Sequence, residues 1–312
     1  MNVLVLGGDG FIGSHFVEYA LSRGCQLSVF GRFSCGATRN LEHLHNSIKL
    51  ISGEFANRDD VAKAVKGQDI VYHFISTTSP ASSWNDPFIE IDENIRRSVQ
   101  FFKIASEHGV QKIAYVSSGG TVYGRHEGVT DENVLERPFT PYGIGKITIE
   151  HFLNYYREHG QLEADIYRVG NAYGPRQPMH RPQGVIAHWM NSILHEQDVL
   201  VYGDSKTLRD YIFVDDVAEL IGQSLESLSD SGTYNVGSGQ GIAVTELLAI
   251  FKRVIKHRFS VRMLPRRDFD NVSTILDCKR ILTKCPGFKF SNFEEKLAET
   301  WQYVRNTKTI FS

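Results

Sequence analysis

Apolar residues alternate between two rhythms along the first half of the chain. Residues 2–6 form a short, β-branched-rich run stopped by glycine, the pattern of a strand buried on both faces of a parallel sheet. Residues 14–23 then place Phe16, Val17, Ala20 and Leu21 on one helical face, and Gly24 closes the turn. The same reading predicts strands over 26–30, 48–51, 69–74 and 112–116, with helices over 59–65 and 95–108. Strands alternating with helices of this length make right-handed βαβ units, hence an α/β fold with a Rossmann-type doubly wound parallel sheet.

The second half is less regular. It predicts helices over 142–159 and 185–195 and a strand over 164–168; beyond Val214 short strands and helices mix with loops such as Tyr234-Asn-Val-Gly-Ser-Gly239. A boundary near residue 170 divides the chain into 1–170, expected from the motifs that follow to be a dinucleotide-binding domain, and 171–312, expected on the same grounds to be a smaller α/β C-terminal substrate-binding domain. No linker or internal repeat sharpens it.

Composition narrows the function rather than the fold. The 41% hydrophobic and 22% charged content, with 27 Gly and only 9 Pro in 312 residues, excludes collagen-like and disordered chains. With 34 Lys+Arg against 36 Asp+Glu there is no basic field to hold a polyanion, so no nucleic-acid partner is expected. Cys25, Cys35, Cys278 and Cys285 lack disulfide-framework or zinc-site spacing and read as reduced thiols, with no metal expected. Without a run of 18 apolar residues or a signal-peptide start, the expectation is a cytoplasmic protein with no membrane partner.

Gly7-Gly8-Asp9-Gly10-Phe11-Ile12-Gly13 sits between the first predicted strand and helix. Glycines at 7, 10 and 13 suit a tight turn, close approach to a pyrophosphate and close packing of the helix, whose N-terminus then faces the phosphates. An acidic residue about 20 positions further on would hold the ribose hydroxyls of NAD. The stretch Val29-Phe-Gly-Arg-Phe-Ser34 has none. Arg32, with Arg39 nearby, points instead to the 2′-phosphate of NADP(H); a solvated Arg32 beside NAD(H) is the alternative.

Tyr142 and Lys146 are four residues apart on a predicted helix and share a face. A lysine charge lowers a neighbouring phenol pKa, making it a usable acid or base near neutral pH.

With these motifs, Val116-Ser-Ser-Gly-Gly-Thr-Val-Tyr-Gly124, Arg168-Val-Gly-Asn-Ala-Tyr-Gly-Pro175 and Leu208-Arg-Asp-Tyr-Ile-Phe-Val-Asp-Asp216 stand in order, and the chain resembles the NAD-dependent epimerase/dehydratase branch of the extended short-chain dehydrogenases. The resemblance implies that Tyr142 is the acid/base and that Lys146 holds the nicotinamide ribose. It implies cofactor contacts at Gly7, Gly10, Phe11, Ile12, Gly13, Arg32, Ser34, Glu54, Phe55, Phe74, Ile75, Ser76, Asn94 and Ser117. It places a nucleotide-diphosphate sugar against Asn171, Arg209, Arg267 and Asp270, two arginines neutralising the diphosphate. Asp215 and Asp216 read as a helix N-cap and first-turn charge rather than catalysts.

One position departs from the pattern. The family's catalytic Ser/Thr falls on Gly119, leaving Thr121, with Ser118 as alternative, to bond the substrate oxygen. Gly120-Thr121 stand where 4,6-dehydratases carry Asp-Glu, which argues against elimination chemistry. By the resemblance Thr274 falls at a gatekeeper position, where a small residue leaves room for a bulkier sugar; a plain strand residue is the alternative.

Two reactions at C4 of a nucleotide sugar remain. Arg32 favours an NADP(H)-dependent reductase of a 4-keto, often 6-deoxy, hexose; the 4-epimerase with retained NAD is the alternative. A non-catalytic dinucleotide sensor is more distant, because it leaves Tyr142, Lys146 and the two arginines without a task. The resemblance also implies a homodimer formed by helices 95–108 and 142–159, with Val99, Phe102, Ile149, Phe152 and Leu153 as candidate contacts; inward packing of the same residues is the alternative.

Overall fold

The computed structural model describes residues 1–33, 38, 40–126, 128–179, 184–203, 207–270 and 273–311. Ser34, Cys35 and Arg39 lie outside the described residues. The strands are β1 (Asn2–Leu6), β2 (Gln26–Gly31), β3 (Lys49–Ser52), β4 (Ile70–His73), β5 (Lys112–Ser118), β6 (Val129–Thr130), β7 (Glu163–Val169), β8 (Asn171–Tyr173), β9 (Val199–Tyr202), β10 (Leu208–Phe213), β11 (Gly232–Val236), β12 (Gly241–Ala243), β13 (Val261–Leu264) and β14 (Ser273–Leu276). The helices are α1 (Phe11–Ser22), α2 (Arg58–Val65), α3 (Pro80–Asn85), α4 (Pro87–Ile89), α5 (Arg96–Glu107), α6 (Pro141–Glu158), α7 (Val185–Leu194), α8 (Val214–Ile221), α9 (Val244–Ile255), α10 (Lys279–Lys284) and α11 (Phe293–Phe311).

Seven strands form one parallel sheet in the order β11-β7-β5-β4-β1-β2-β3. The alternation in β1 shows why it forms. Val3 and Val5 pack with Phe16 and Val17 on one face, while Leu4 and Leu6 pack with Val61 and Phe102 on the other. Each fully buried side chain of this size contributes about 1.5–3 kcal/mol. From β1 the chain winds outward through β2 and β3, then restarts at β4 and winds the opposite way. Direction therefore switches between β1 and β4, and the crevice at their C-terminal ends is where an open α/β sheet binds its ligand. A second, mixed sheet in the order β12-β10-β14-β6, with β8 on β10, carries Asn171, Arg209 and Thr274, which face this crevice.

Several expectations are corrected. The Tyr234-Asn-Val stretch is not loop: it lies in β11 at the edge of the main sheet, and the loop begins at Gly237. Asn235 disguises the strand, but its polar atoms are satisfied by Tyr123, Thr130 and Asp277. The helix ending near 108 is preceded by a π-helical turn, Glu90–Ile95, and by α4, which starts at the Asp86 cap with Pro87 in its first position. Phe213, not an aspartate, caps α8. Asp215 and Asp216 lie in the first turn, where Asp215 pairs with His15 and Asp216 accepts from Ser291. Phe102, Ile149 and Leu153 pack inward, since the same helical faces that touch each other also cover the sheet. Phe152 is exposed and Val99 half-buried.

Candidate active site

The turn after β1 is built around its glycines. Gly7 has φ +76°, a left-handed conformation that disfavours a side chain, and a Cβ on Gly13 would overlap the carbonyl of Gly7. Gly10 caps α1 without a side-chain bond, so the first N–H groups of the helix meet no side-chain cap. Gly7, Gly10, Phe11, Ile12 and Gly13 all line a cavity of about 870 Å³. Arg32, Glu54, Phe55, Phe74, Ile75, Ser76 and Ser117 line it too. Ser76 Oγ is buried without a hydrogen-bond partner among the described residues, an orphan that suits a polar ligand. Bare backbone at the turn, a helix N-terminus and an unsatisfied hydroxyl together fit a dinucleotide.

Three cofactor expectations need qualification. Asn94 is not part of the lining. Its Oδ1 accepts from Thr77 N and Oγ1 at 3.0 and 3.1 Å and its Nδ2 donates to Thr78 Oγ1 at 2.9 Å, so it holds the 77–78 loop from behind. Ser117 borders the cavity, but its hydroxyl donates to Glu150. Arg32 is exposed at the cavity edge. Sequence reading missed Asp9 and Asn40, both in the lining; Asn40 donates through its backbone N–H to Asp9 Oδ1 at 2.8 Å and through its side chain to Asp9 O at 2.7 Å.

Thr140 caps α6 by accepting the Gly143 N–H at 3.2 Å, which sets Tyr142 and Lys146 on the face turned to the crevice. Both are buried. Lys146 Nζ lies 5.6 Å from the Tyr142 ring centroid and donates to Val116 O at 3.1 Å. Burial pulls the ammonium pKa down to about 8, against the opposing charges of Glu90 and Glu150. Gly119 has no room for the missing hydroxyl: a Cβ there would stand 2.6 Å from Leu276 Cδ1 and 2.8 Å from Arg168 O. Ser118 and Thr121 do line the cavity, and Thr121 Oγ1 makes a long 3.5 Å contact to Ser118 O.

The opposite wall comes from the second half. Asn171, Arg209, Arg267, Asp270 and Thr274 line the same cavity. Asn171 Nδ2 donates to Asp210 O at 3.0 Å, leaving its amide oxygen for a ligand. Burial lowers the half-buried Arg209 guanidinium from its ordinary value. Arg267 stacks over Tyr202 and Phe269, 4.3 and 4.8 Å from their centroids, and its Nη2 and Nε donate to the Asp270 carboxylate at 2.8 and 2.9 Å. Tyr202 and Phe269 were missed because the resemblance marked only Arg267 and Asp270 in this region, and no sequence spacing shows that the two rings stack on that guanidinium. Lys146 and the two arginines thus face one continuous space that begins at the glycine turn.

The model of the NAD dependent epimerase/dehydratase family matches residues 3–237. The chain belongs to that family. A UDP-glucose 4-epimerase of Mycolicibacterium smegmatis is 32% identical over 254 residues, 79% of this chain and 80% of that one. A dTDP-4-dehydro-6-deoxyglucose reductase of Escherichia coli is 28% identical over 286 residues, 90% of each. The crystal structure of the Thermus thermophilus UDP-glucose 4-epimerase in complex with NAD superposes with a TM-score of 0.89 at 30% identity, over 98% of this chain and 99% of that one. Family membership makes the chain an NAD(P)-dependent enzyme of nucleotide-sugar chemistry at C4. Among the described residues, no helix is long and apolar enough to cross a membrane.

Proposed function

We propose that this enzyme is a nucleotide-diphosphate-hexose 4-epimerase that retains NAD, of the kind that acts on UDP-glucose or its N-acetylated counterpart. The observation that carries the proposal is the single cavity in which the glycine turn, the Tyr142/Lys146 pair and Arg209 with Arg267 share one space. The epimerase relatives support the direction of the chemistry. Arg32, exposed in a lining that also contains the Asp9 carboxylate, is a weaker argument for a 2′-phosphate than the bare sequence suggested.

Residues 1–170 hold the dinucleotide in this reading, and 171–312 mainly hold the nucleotide sugar. Arg209 and Arg267 neutralise the diphosphate, Asp270 and Asn171 orient the ribose and sugar, and Thr274 leaves space beside them. Tyr142 takes the proton from the sugar O4 and returns it, with Lys146 favouring the phenolate and Thr121 or Ser118 donating to the same oxygen. NAD, held at the glycine turn and beside Ser76, would supply a reversible hydride acceptor for C4, so that the reaction would have no net redox change.

The reductase is the second reading, favoured by Arg32 and by the similarity to a 4-keto-sugar reductase. The two separate in one experiment: denature the purified protein, identify the released cofactor by mass spectrometry, and assay UDP-glucose and UDP-galactose interconversion without added cofactor. Retained NAD with interconversion supports the epimerase. An empty protein that oxidises NADPH only when given a 4-keto sugar replaces it with the reductase.

A homodimer belongs to the same proposal. Ile144, Phe152 and Tyr155 on α6 are 41–49% exposed, and Phe88 and Ile91 are 71% and 51% exposed. Sedimentation of Phe152→Asp as a monomer, against a dimeric parent, would support that face as the interface.

A further inference from the structure

Glu90 is a buried carboxylate that the reaction so far leaves without a task. It stands at the start of the π-helical turn Glu90–Ile95 and is 2% exposed. Thr78 Oγ1 donates to its Oε2, and Oε1 is buried with no hydrogen-bond partner among the described residues. Thr78 lines the active-site cavity and is itself held by Asn94. The carboxylate presses against α6 at Gly145: a Cβ there would overlap Oε1 and stand 2.7 Å from the carboxyl carbon. Glycine at 145 therefore admits an acid to the helix at the residue next to Lys146.

Lys146 needs such a neighbour, because its hydrogen bond goes to a neutral carbonyl, Val116 O. The groups facing it are few. On α6 are Tyr142 and Glu150; on β5 is Tyr115, whose ring centroid is 5.0 Å from Nζ and whose phenol burial keeps neutral; on β4 is His73, kept neutral by burial and by the lysine's own charge. Glu150 already has a cation, accepting from Arg168 Nη2 at 2.7 Å and Nε at 3.1 Å. Glu90 has no ion pair of its own among the described residues.

We propose that Glu90 is a positioning residue that keeps Lys146 protonated, so that Tyr142 retains a cation beside its phenol. The proposal rests on the reading of Tyr142 and Lys146 as the reacting pair. Burial raises the Glu90 carboxyl, while Thr78 and Lys146 pull it back toward the ionised form, and Glu90 in turn pushes the lysine upward.

The test observes Lys146 directly. The full chain, as purified with its cofactor, is labelled with ¹³C at lysine Cε, and the Lys146 resonance is assigned by its absence in Lys146→Met. In the parent a midpoint near 8 is expected. In Glu90→Gln the midpoint falls by about one pH unit or more, and in Glu90→Asp, which keeps the charge but withdraws it, by less. A Glu90→Gln midpoint that coincides with the parent overturns the proposal. Should Glu90→Gln fail to fold, Glu90→Asp decides, an unmoved midpoint again overturning it. Failure of the catalytic reading looks different: Tyr142→Phe would keep full turnover, whatever the lysine midpoint does.

Discussion

Ser83 Oγ accepts the backbone N–H of Tyr142 at 3.0 Å and so ties the first turn of α6 to the short helix α3. The bond satisfies one of the N–H groups a helix start leaves open, at the residue that carries the reacting phenol. Ser83→Ala is expected to cost about 1–2 kcal/mol of stability and to lower kcat about tenfold with little change in KM. Steady-state kinetics with urea unfolding measures both. Unchanged kcat would mean that α3 does not set the phenol's position.

Tyr142→Phe removes the proton carrier without removing the ring. Turnover should drop by about 10²–10⁴, while cofactor binding stays close to the parent's. Coupled assay and cofactor titration on one preparation check the pair of outcomes.

Restoring the family's hydroxyl at Gly119 should fail. Gly119→Ser forces a Cβ against Leu276 and the Arg168 carbonyl, with an expected loss of about 1–3 kcal/mol and no gain in activity. Thr121→Val or Ser118→Ala, by contrast, should lower kcat at nearly full stability. Thermal melts and kinetics on the three variants identify which hydroxyl serves the substrate oxygen.

His73 gives a stability prediction with a sign. It is buried among the rings of Phe55, Phe101, Phe102 and Tyr115, and burial, followed by the Lys146 charge, lowers its pKa to about 3. The folded value lies below the unfolded one of 6.5, so the unfolded chain binds the extra proton and stability falls as pH drops through that window. The loss approaches about 5 kcal/mol at the acid end, below both values. Urea unfolding at about pH 7 and about pH 4.5 should show a smaller acid loss for His73→Phe than for the parent.

Arg32→Ala tests the cofactor. An exposed arginine at the cavity edge is worth under about 1 kcal/mol to a ligand lacking the 2′-phosphate, so NADH affinity should stay within about fivefold. Calorimetric titration with NADH and NADPH would reveal the opposite case, a large loss confined to NADPH, which would restore the reductase to first place.

Much of this site was legible because its chemistry is local. Glycines at fixed spacing, and a tyrosine and lysine one helical turn apart, carry their geometry in the sequence itself. What stayed hidden depends on distant pairs. Asn94 faces Thr77 and Thr78 rather than the cavity, and no spacing rule reveals which way a buried amide turns. Gly119 looked like a lost hydroxyl, yet the reason is Leu276, far along the chain, whose methyl group fills the place. The Tyr234-Asn-Val end of β11 reads as loop because Asn and the glycines that follow dilute its apolar pattern; edge position and three partners for Asn235 make that composition tolerable.

The position of β11 has a consequence for any attempt to divide the molecule. It pairs along β7 from Asp165 to Val169 and closes that side of the sheet. A fragment ending near residue 170 would leave the polar edge of β7 open and strip Asp165 and Tyr123 of the partners that Ser224 and Asn235 supply. Such a fragment should self-associate rather than fold around its cofactor. The nucleotide-binding half is thus not an exchangeable module: grafting new substrate specificity onto it requires keeping the segment that returns to seal its edge.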